Sequence, residues 1–180
     1  MTYTINKIIS GGQTGVDRAA FDAAIENGIE TGGFVPRGRW AEDGTIAAKY
    51  TGLVETESAD PAKRTRLNVV NSDATLLLTV GEPGGGSKLT ADLAAEHKKP
   101  LLHLKIRGSE LNELTNSIHE WLEKLRPGVL NIGGSRASED AEVYDLAYEI
   151  LSAALKHQPP SSQRTTRDFD EKEAPQHEAS

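Results

Sequence analysis

Residues 72–90, SDATLLLTVGEPGGGSKLT, decide how this chain is read. Positions 74–80 are an unbroken apolar and β-branched run, the composition of a strand buried on both faces of a parallel sheet. Gly81, Gly84, Gly85 and Gly86 follow, residues that take positive φ and let a ligand approach the backbone. Ser87, Lys88 and Thr90 come where the pattern turns helical. A strand, a glycine turn and a helix start together make an anion site, because unpaired N–H groups point outward and the helix dipole favours negative charge there. A ligand-free glycine connection has the same composition, so one loop alone does not decide between them.

Two similar turns lie elsewhere. Residues 4–10, with Ile5, Ile8 and Ile9, read as a strand that runs into GGQTGVDRAAFDAA. There Gly11, Gly12 and Gly15 form a turn, Gln13 and Thr14 offer side-chain donors, and Asp17 begins a helix with Ala20, Phe21, Ala24 and Ile25 as its apolar face. Asn27 and Gly28 end it. A tight turn with Asp17 as a plain cap is the alternative, but a cap does not require three glycines in five positions. The third turn follows a strand at 129–132: Gly133, Gly134, Ser135 and Arg136, then Ser138 as the expected cap of a helix with Glu139 and Asp140 in its first turn. Val143, Leu146, Ala147, Ile150, Leu151, Ala154 and Leu155 form that helix's apolar stripe.

Between these landmarks the chain alternates strand and helix. Residues 29–36 read as a strand containing Gly32 and Gly33, where another backbone approaches or a bulge forms. RGRWAEDGT has no periodicity and reads as a loop of the kind that covers sites: Arg37 and Arg39 could clamp an anion and Trp40 could cover a ring, or all could face water. A strand at 52–56 ends in Glu55, suited to a ribose hydroxyl or a ring nitrogen, or simply solvated. Asp60 and Pro61 start a helix to residue 70, on which Arg64 and Arg66 cannot share a face; Arg64 is assigned to the ligand. Leu89, Leu93 and Ala94 line the helix after the central loop, and residues 101–106 read as a strand with His103 as a packed side chain. Ser109 is the expected cap of an amphipathic helix carrying Leu111, Leu114, Ile118, Leu122 and Leu125. His119 and Glu120 open an apparent HExxH, but position 123 is Glu and 124 is Lys, which excludes that zinc motif.

Strands alternating with helices imply an α/β, Rossmann-like parallel sheet with helices on both faces, in a single domain over residues 1–156. Residues 157–180 are almost free of apolar side chains and are expected to form a disordered tail. In parallel sheets ligands bind beyond the carboxyl ends of the strands, the edge that all three turns leave.

Composition limits the function. The 180 residues are 37% hydrophobic and 26% charged, with no cysteine, which removes disulfide scaffolds, thiolate metal sites and cysteine nucleophiles. No apolar run approaches the roughly 20 residues of a membrane span and MTYTINK lacks a signal-peptide core, so no membrane partner and a cytoplasmic location are expected. A formal charge of −7 argues against nucleic acid as a partner, though not against a small anion. Residues 81–86 have Walker A spacing, but Ser87 then Lys88 reverses the required order, and no strand-linked GxGxxG exists.

The order GGQTGVDRAAFDAA, PRGRWAEDG, RTRLNVVNSDATLLL, GGGSKLT, KP and LNIGGSR resembles the molybdenum cofactor carrier family, the circularly permuted YpsA-like branch of the SLOG superfamily that also includes the LOG phosphoribohydrolases. The likeness covers residues 5–155. It implies a Rossmann-like homo-oligomer binding a small phosphorylated ligand, either molybdenum cofactor or a nucleotide-like molecule. A pterin dithiolene brings its own sulfur, so the missing cysteines are compatible. The strand-helix unit that opens the unpermuted relatives closes this chain, at residues 130–155.

LOG hydrolases resemble P-G-G-x-G-T-x-x-E, whose Glu acts in cleavage of the N-glycosidic bond. Here Pro83, Gly84 and Gly85 match, but the Glu falls at Ala91 or, with Thr90 aligned, Leu93, neither of which transfers a proton. The reading is therefore a non-catalytic carrier. Its ligand would be surrounded by Gly12, Gln13, Thr14 and Gly15, by Gly85, Gly86, Ser87 and Thr90, and by Gly134, Ser135 and Arg136. Arg39 and Arg64 would neutralise charge, and Glu55 or Asp73 would position the ring or sugar. The alternatives are a phosphoribohydrolase using a displaced carboxylate, Asp92, Glu55 or Asp43, and a sensor of ADP-ribose-type nucleotides.

Overall fold

A computed structural model describes residues 3–156; the expected tail at 157–180 lies outside the described residues. In chain order the elements are β1 (Lys7–Ile9), α1 (Val16–Glu26), β2 (Glu30–Val35), β3 (Trp40–Ala41), β4 (Gly44–Thr45), β5 (Leu53–Glu55), α2 (Pro61–Val70), β6 (Ala74–Thr79), α3 (Gly85–Glu96), β7 (Leu101–Lys105), α4 (Leu111–Leu125), β8 (Val129–Gly134) and α5 (Val143–Leu155).

Six strands form one parallel sheet in the order β5-β2-β1-β8-β6-β7. β6 is buried at every position, as a strand covered on both faces must be. Register explains the two faces. Ile8 pairs with Leu130 and Ala74 with Leu130, while Leu76 pairs with Ile132, so these side chains point together into the core beneath α1, α4 and α5. The alternate row includes Thr75 and Asn131, on the face where α2 packs against α3 through Val69, Leu93 and Ala94. Among the described residues no helix is long and apolar enough to cross a membrane.

Asp60 accepts the Ala62 amide at 2.9 Å and Pro61 opens α2, so that helix starts where its sequence signals. Two other expected caps fail. Ser109 donates backward to the Lys105 carbonyl, leaving Glu110 at the α4 N-cap without a side-chain bond. Ser138 lies in a turn ahead of α5, which begins at Val143, and its hydroxyl goes to Glu42 instead. Gly133 and Gly134 end strand β8 rather than forming a turn, because the glycine at 134 lets the chain press against the Leu78 carbonyl of β6. Ile25, expected on the apolar face of α1, is exposed. The antiparallel hairpin of β3 and β4 inside the long loop was unexpected, since two-residue strands carry no periodicity.

Candidate functional site

β1, β8 and β6 are adjacent and parallel, so the segments leaving their carboxyl ends meet on one rim of the sheet. A cleft opens there, enclosing about 510 Å³ including its mouth. Asn131, Gly133 and Gly134 of β8 lie along its base. The first turns of α3 supply Gly86, Ser87 and Thr90 to one wall, α2 brings Arg64, Thr65 and Asn68, and Gln13, Asp17, Arg136 and Glu139 close it.

Several backbone donors at this rim are used internally, so the three expected amide cradles are only partly open. The Gln13 amide donates to Asp17 (3.1 Å), the Thr14 amide to the Gln13 side chain (3.0 Å) and the Val16 amide to the Ser135 carbonyl (3.1 Å). In the third turn, Ser135 donates its N–H to the Leu78 carbonyl (3.0 Å) and Arg136 its own to Glu139 (2.8 Å). At the α3 start Ser87 and Lys88 both donate back to the Gly84 carbonyl, while the Gly85 and Gly86 amides, like those of Gly11, Gly12 and Gly15 in the first turn, meet no acceptor among the described residues. Positive φ at Gly85 (48°) makes that start possible. The donors left at the rim are therefore the α3 start, the glycine amides of the first turn and several side chains.

Arg64 is the principal side chain among them. It reaches from α2 across β1 and lies on Gly11, where any Cβ would collide with the guanidinium. Its Nη1 is 3.7 Å from Asp17 Oδ2, too long for a strong hydrogen bond, and its buried Nε has no partner. A buried N–H without an acceptor is costly, and a bound anion would satisfy it. Asp17 sits below, 5% exposed. Burial pushes its carboxyl above the ordinary range, and the Arg64 guanidinium, the Gln13 amide and Arg136 oppose that shift without cancelling it. Gln13 Oε1 accepts the amides of Thr14 and Glu42 (2.9 Å), which turns the amino group of its side chain away from them as a remaining donor.

The β3–β4 hairpin is anchored beside the cleft by two neighbouring carboxylates. Glu42 accepts the Thr14 hydroxyl, the Ser138 amide at 3.1 Å and the Ser138 hydroxyl at 2.6 Å. Partial burial pushes the Glu42 carboxyl up, but the Ser138 and Thr14 hydroxyls, the Ser138 amide and Arg136 outweigh it and hold it below its usual range. Asp43 takes both ends of the Arg18 guanidinium, at 2.5 and 2.7 Å.

Of the side chains and glycines assigned from sequence, the cleft brings together Gln13, Arg64, Gly86, Ser87, Thr90, Gly134 and Arg136. Gly12, Gly15, Gly85 and Ser135 shape the surrounding turns, with Gly12 and Gly15 at φ of 72° and 78°, and Thr14 gives its hydroxyl to Glu42. Three others lie elsewhere. Arg39 donates to the carbonyls of Ile46, Ala47 and Tyr50 and holds its own loop. Glu55 accepts the Gly38 amide at 2.7 Å. Asp73 precedes β6, on the opposite rim of the sheet, where it accepts the amides of Gly128 and Val129, both at 2.8 Å. Arg66, two residues from Arg64, turns outward toward Glu96. Sequence reasoning missed Asp17 as a cleft residue, together with Thr65, Asn68, Asn131 and Glu139. The available signal for Asp17 was an acidic residue in the first turn of a helix entered through glycines, which a cap explains equally well.

Comparisons with known proteins agree with the fold. Residues 8–155 match the circularly permutated YpsA SLOG family. No curated protein matches the chain. A crystal structure of a candidate molybdenum carrier protein from Syntrophus aciditrophicus SB superimposes with a TM-score of 0.82 at 43% identity, over 85% of this chain and 96% of that one. The chain is a member of the circularly permutated YpsA SLOG family.

Proposed function

We propose that the protein carries a phosphate-bearing heterocyclic cofactor without transforming it, with molybdenum cofactor as the leading ligand and a nucleotide-like molecule as the other. The observation that carries this reading is the buried, unpartnered Nε of Arg64 in a cleft that Arg136 and the open start of α3 also face. Arg64, Arg136, the Gly86 amide and the Ser87 hydroxyl would hold the phosphate, with Thr90, whose hydroxyl donates to the Gly86 carbonyl at 2.9 Å, lining the wall beside them. The likeness to a candidate molybdenum carrier supports the choice of ligand. A pterin would bring the dithiolene that binds the metal, which this cysteine-free chain cannot supply.

The carboxylates that the sequence offered for cleavage are engaged elsewhere, which favours carrying over cleavage by those residues. Leu93 is buried with Val69 and Ala94, and Ala91 has no proton to give. Asp92 pairs with Lys88 at 2.6 Å, Asp43 with Arg18, and Glu55 holds the Gly38 amide. Cytoplasmic residence and self-association belong to the same reading; exposed Val54 on edge strand β5 is a contact such an assembly could cover.

Metal analysis and the ultraviolet-visible spectrum of protein purified from a molybdenum-competent host test this. Bound molybdenum with pterin absorption is the expected result. Sustained release of free base from nucleoside monophosphates would instead establish a phosphoribohydrolase.

A further inference from the structure

The cleft offered to an anion also contains carboxylates, and they are not equivalent. Glu139 is 41% exposed at its side chain and already accepts the Arg136 amide at 2.8 Å and the Ser135 hydroxyl at 3.3 Å. Water and these donors tolerate its charge. Asp17 lacks the water. It is buried at the α1 start, its Oδ2 takes one amide from Gln13, and Oδ1 lies toward Gly133, whose missing side chain leaves that side open to the cleft. The Ser10 hydroxyl, which donates to the Ile132 carbonyl at 2.6 Å, is close enough to the carboxyl to oppose the shift that burial causes, without cancelling it.

The charged groups facing Asp17 are few. Arg64 comes from α2 at 3.7 Å and Arg136 from the segment after β8, while Arg18 of its own helix is turned out to Asp43. Glu139 shares the cleft. A tetrahedral dianion seated on Arg64 would thus compete with the Asp17 carboxylate for the same guanidinium. The dianion, Asp17 and Glu139 would set four negative charges against the two guanidinium groups of Arg64 and Arg136, an excess that in a water-poor site favours uptake of a proton.

Building on the anion-carrying reading above, we propose that the cleft takes up one proton together with its dianion, and that Asp17 is the residue that receives it. Protonation removes the repulsion and turns a competing acceptor into a donor that can face the bound oxyanion. The preference of the free protein points the same way, since burial already raises the Asp17 pKa. Loading would then be favoured at lower pH and release at higher pH.

Sulfate is the appropriate probe, because it remains a dianion throughout the neutral range and any proton taken up goes to the protein. Sulfate affinity of the wild type, followed by calorimetry and by thermal shift, is expected to weaken up to tenfold per pH unit above the Asp17 pKa. At a pH where the sulfate affinity falls with rising pH, calorimetry in two buffers of different ionisation enthalpy should show uptake approaching one proton per sulfate. Asp17→Asn, a near-isosteric stand-in for the protonated acid, should bind with no pH dependence and more tightly than wild type at high pH. The two-buffer measurement needs only the wild type, so the proposal stays testable if the variant misfolds. Binding without proton uptake would overturn the proposal and leave the anion site standing. Absence of saturable sulfate binding, or binding unchanged by Arg64→Ala, would overturn both.

Discussion

The Arg64 guanidinium lies flat against Gly11, in the space a side chain at position 11 would need. Gly11 has no positive φ, so its lack of a Cβ serves the arginine and not the backbone. Gly11→Ala is predicted to displace a flexible side chain, leaving the melting temperature nearly unchanged while anion affinity falls about 10- to 100-fold, the worth of a charge-assisted hydrogen bond. Combining it with Arg64→Ala should add little, since both remove one interaction. Sulfate titration and thermal unfolding of the three variants check this.

Gly134 gives the opposite outcome. A Cβ there would meet the Leu78 carbonyl and the Val16 side chain, and backbone cannot step aside as an arginine can. Gly134→Ala should therefore cost stability, roughly 1–3 kcal/mol or more by overpacking between β6 and β8. Denaturant unfolding measures it.

Asp17 makes stability pH-dependent in a definite direction. A carboxyl with a raised folded pKa holds its proton more tightly when folded, so its contribution is complete below the ordinary value of 3.8 and is lost as pH rises through the folded pKa. Asp17→Asn lacks this loss. Its melting temperature relative to wild type should rise with pH across that window and then level off. A constant difference from acid to neutral pH would show that Asp17 is not perturbed.

Glu42 works with the other sign. Its folded pKa is lowered, so its contribution is present above the ordinary value of 4.5 and disappears as pH falls through the folded pKa. Glu42→Gln should loosen the hairpin, seen as faster amide exchange in residues 39–46 while β6 and β8 keep their protection. The Asp43–Arg18 pair remains in that variant, so exchange should rise without full detachment.

The order of strands and helices was legible because β6, α4 and α5 carry strong local patterns. Helix geometry also separates Arg64 from Arg66 onto different faces, but it is the tertiary fold that lays Arg64 on Gly11 and turns Arg66 toward Glu96. The hairpin was not legible: its stability comes from Glu42 bonding Thr14 and Ser138, 28 and 96 residues away, and no local window contains such a pair. Ser109 and Ser138 looked like caps because the residue type is right, but each hydroxyl found another acceptor. Asp73 and Glu55 looked like ligand readers because both sit at strand ends; Asp73 is at the wrong end, and Glu55 had a nearer amide to bind. Asp17 was read only as the residue that begins α1, because its partner, Arg64, is reached only through the tertiary fold.

The most direct test is the small molecule that accompanies the protein out of a molybdenum-competent host. Mass spectrometry of the released ligand should find a phosphate-bearing heterocycle with wild type, and little or none with the folded Arg64→Ala, Arg136→Ala double variant. Equal recovery from both proteins would contradict the account, because the phosphate would then be held without the two guanidinium groups.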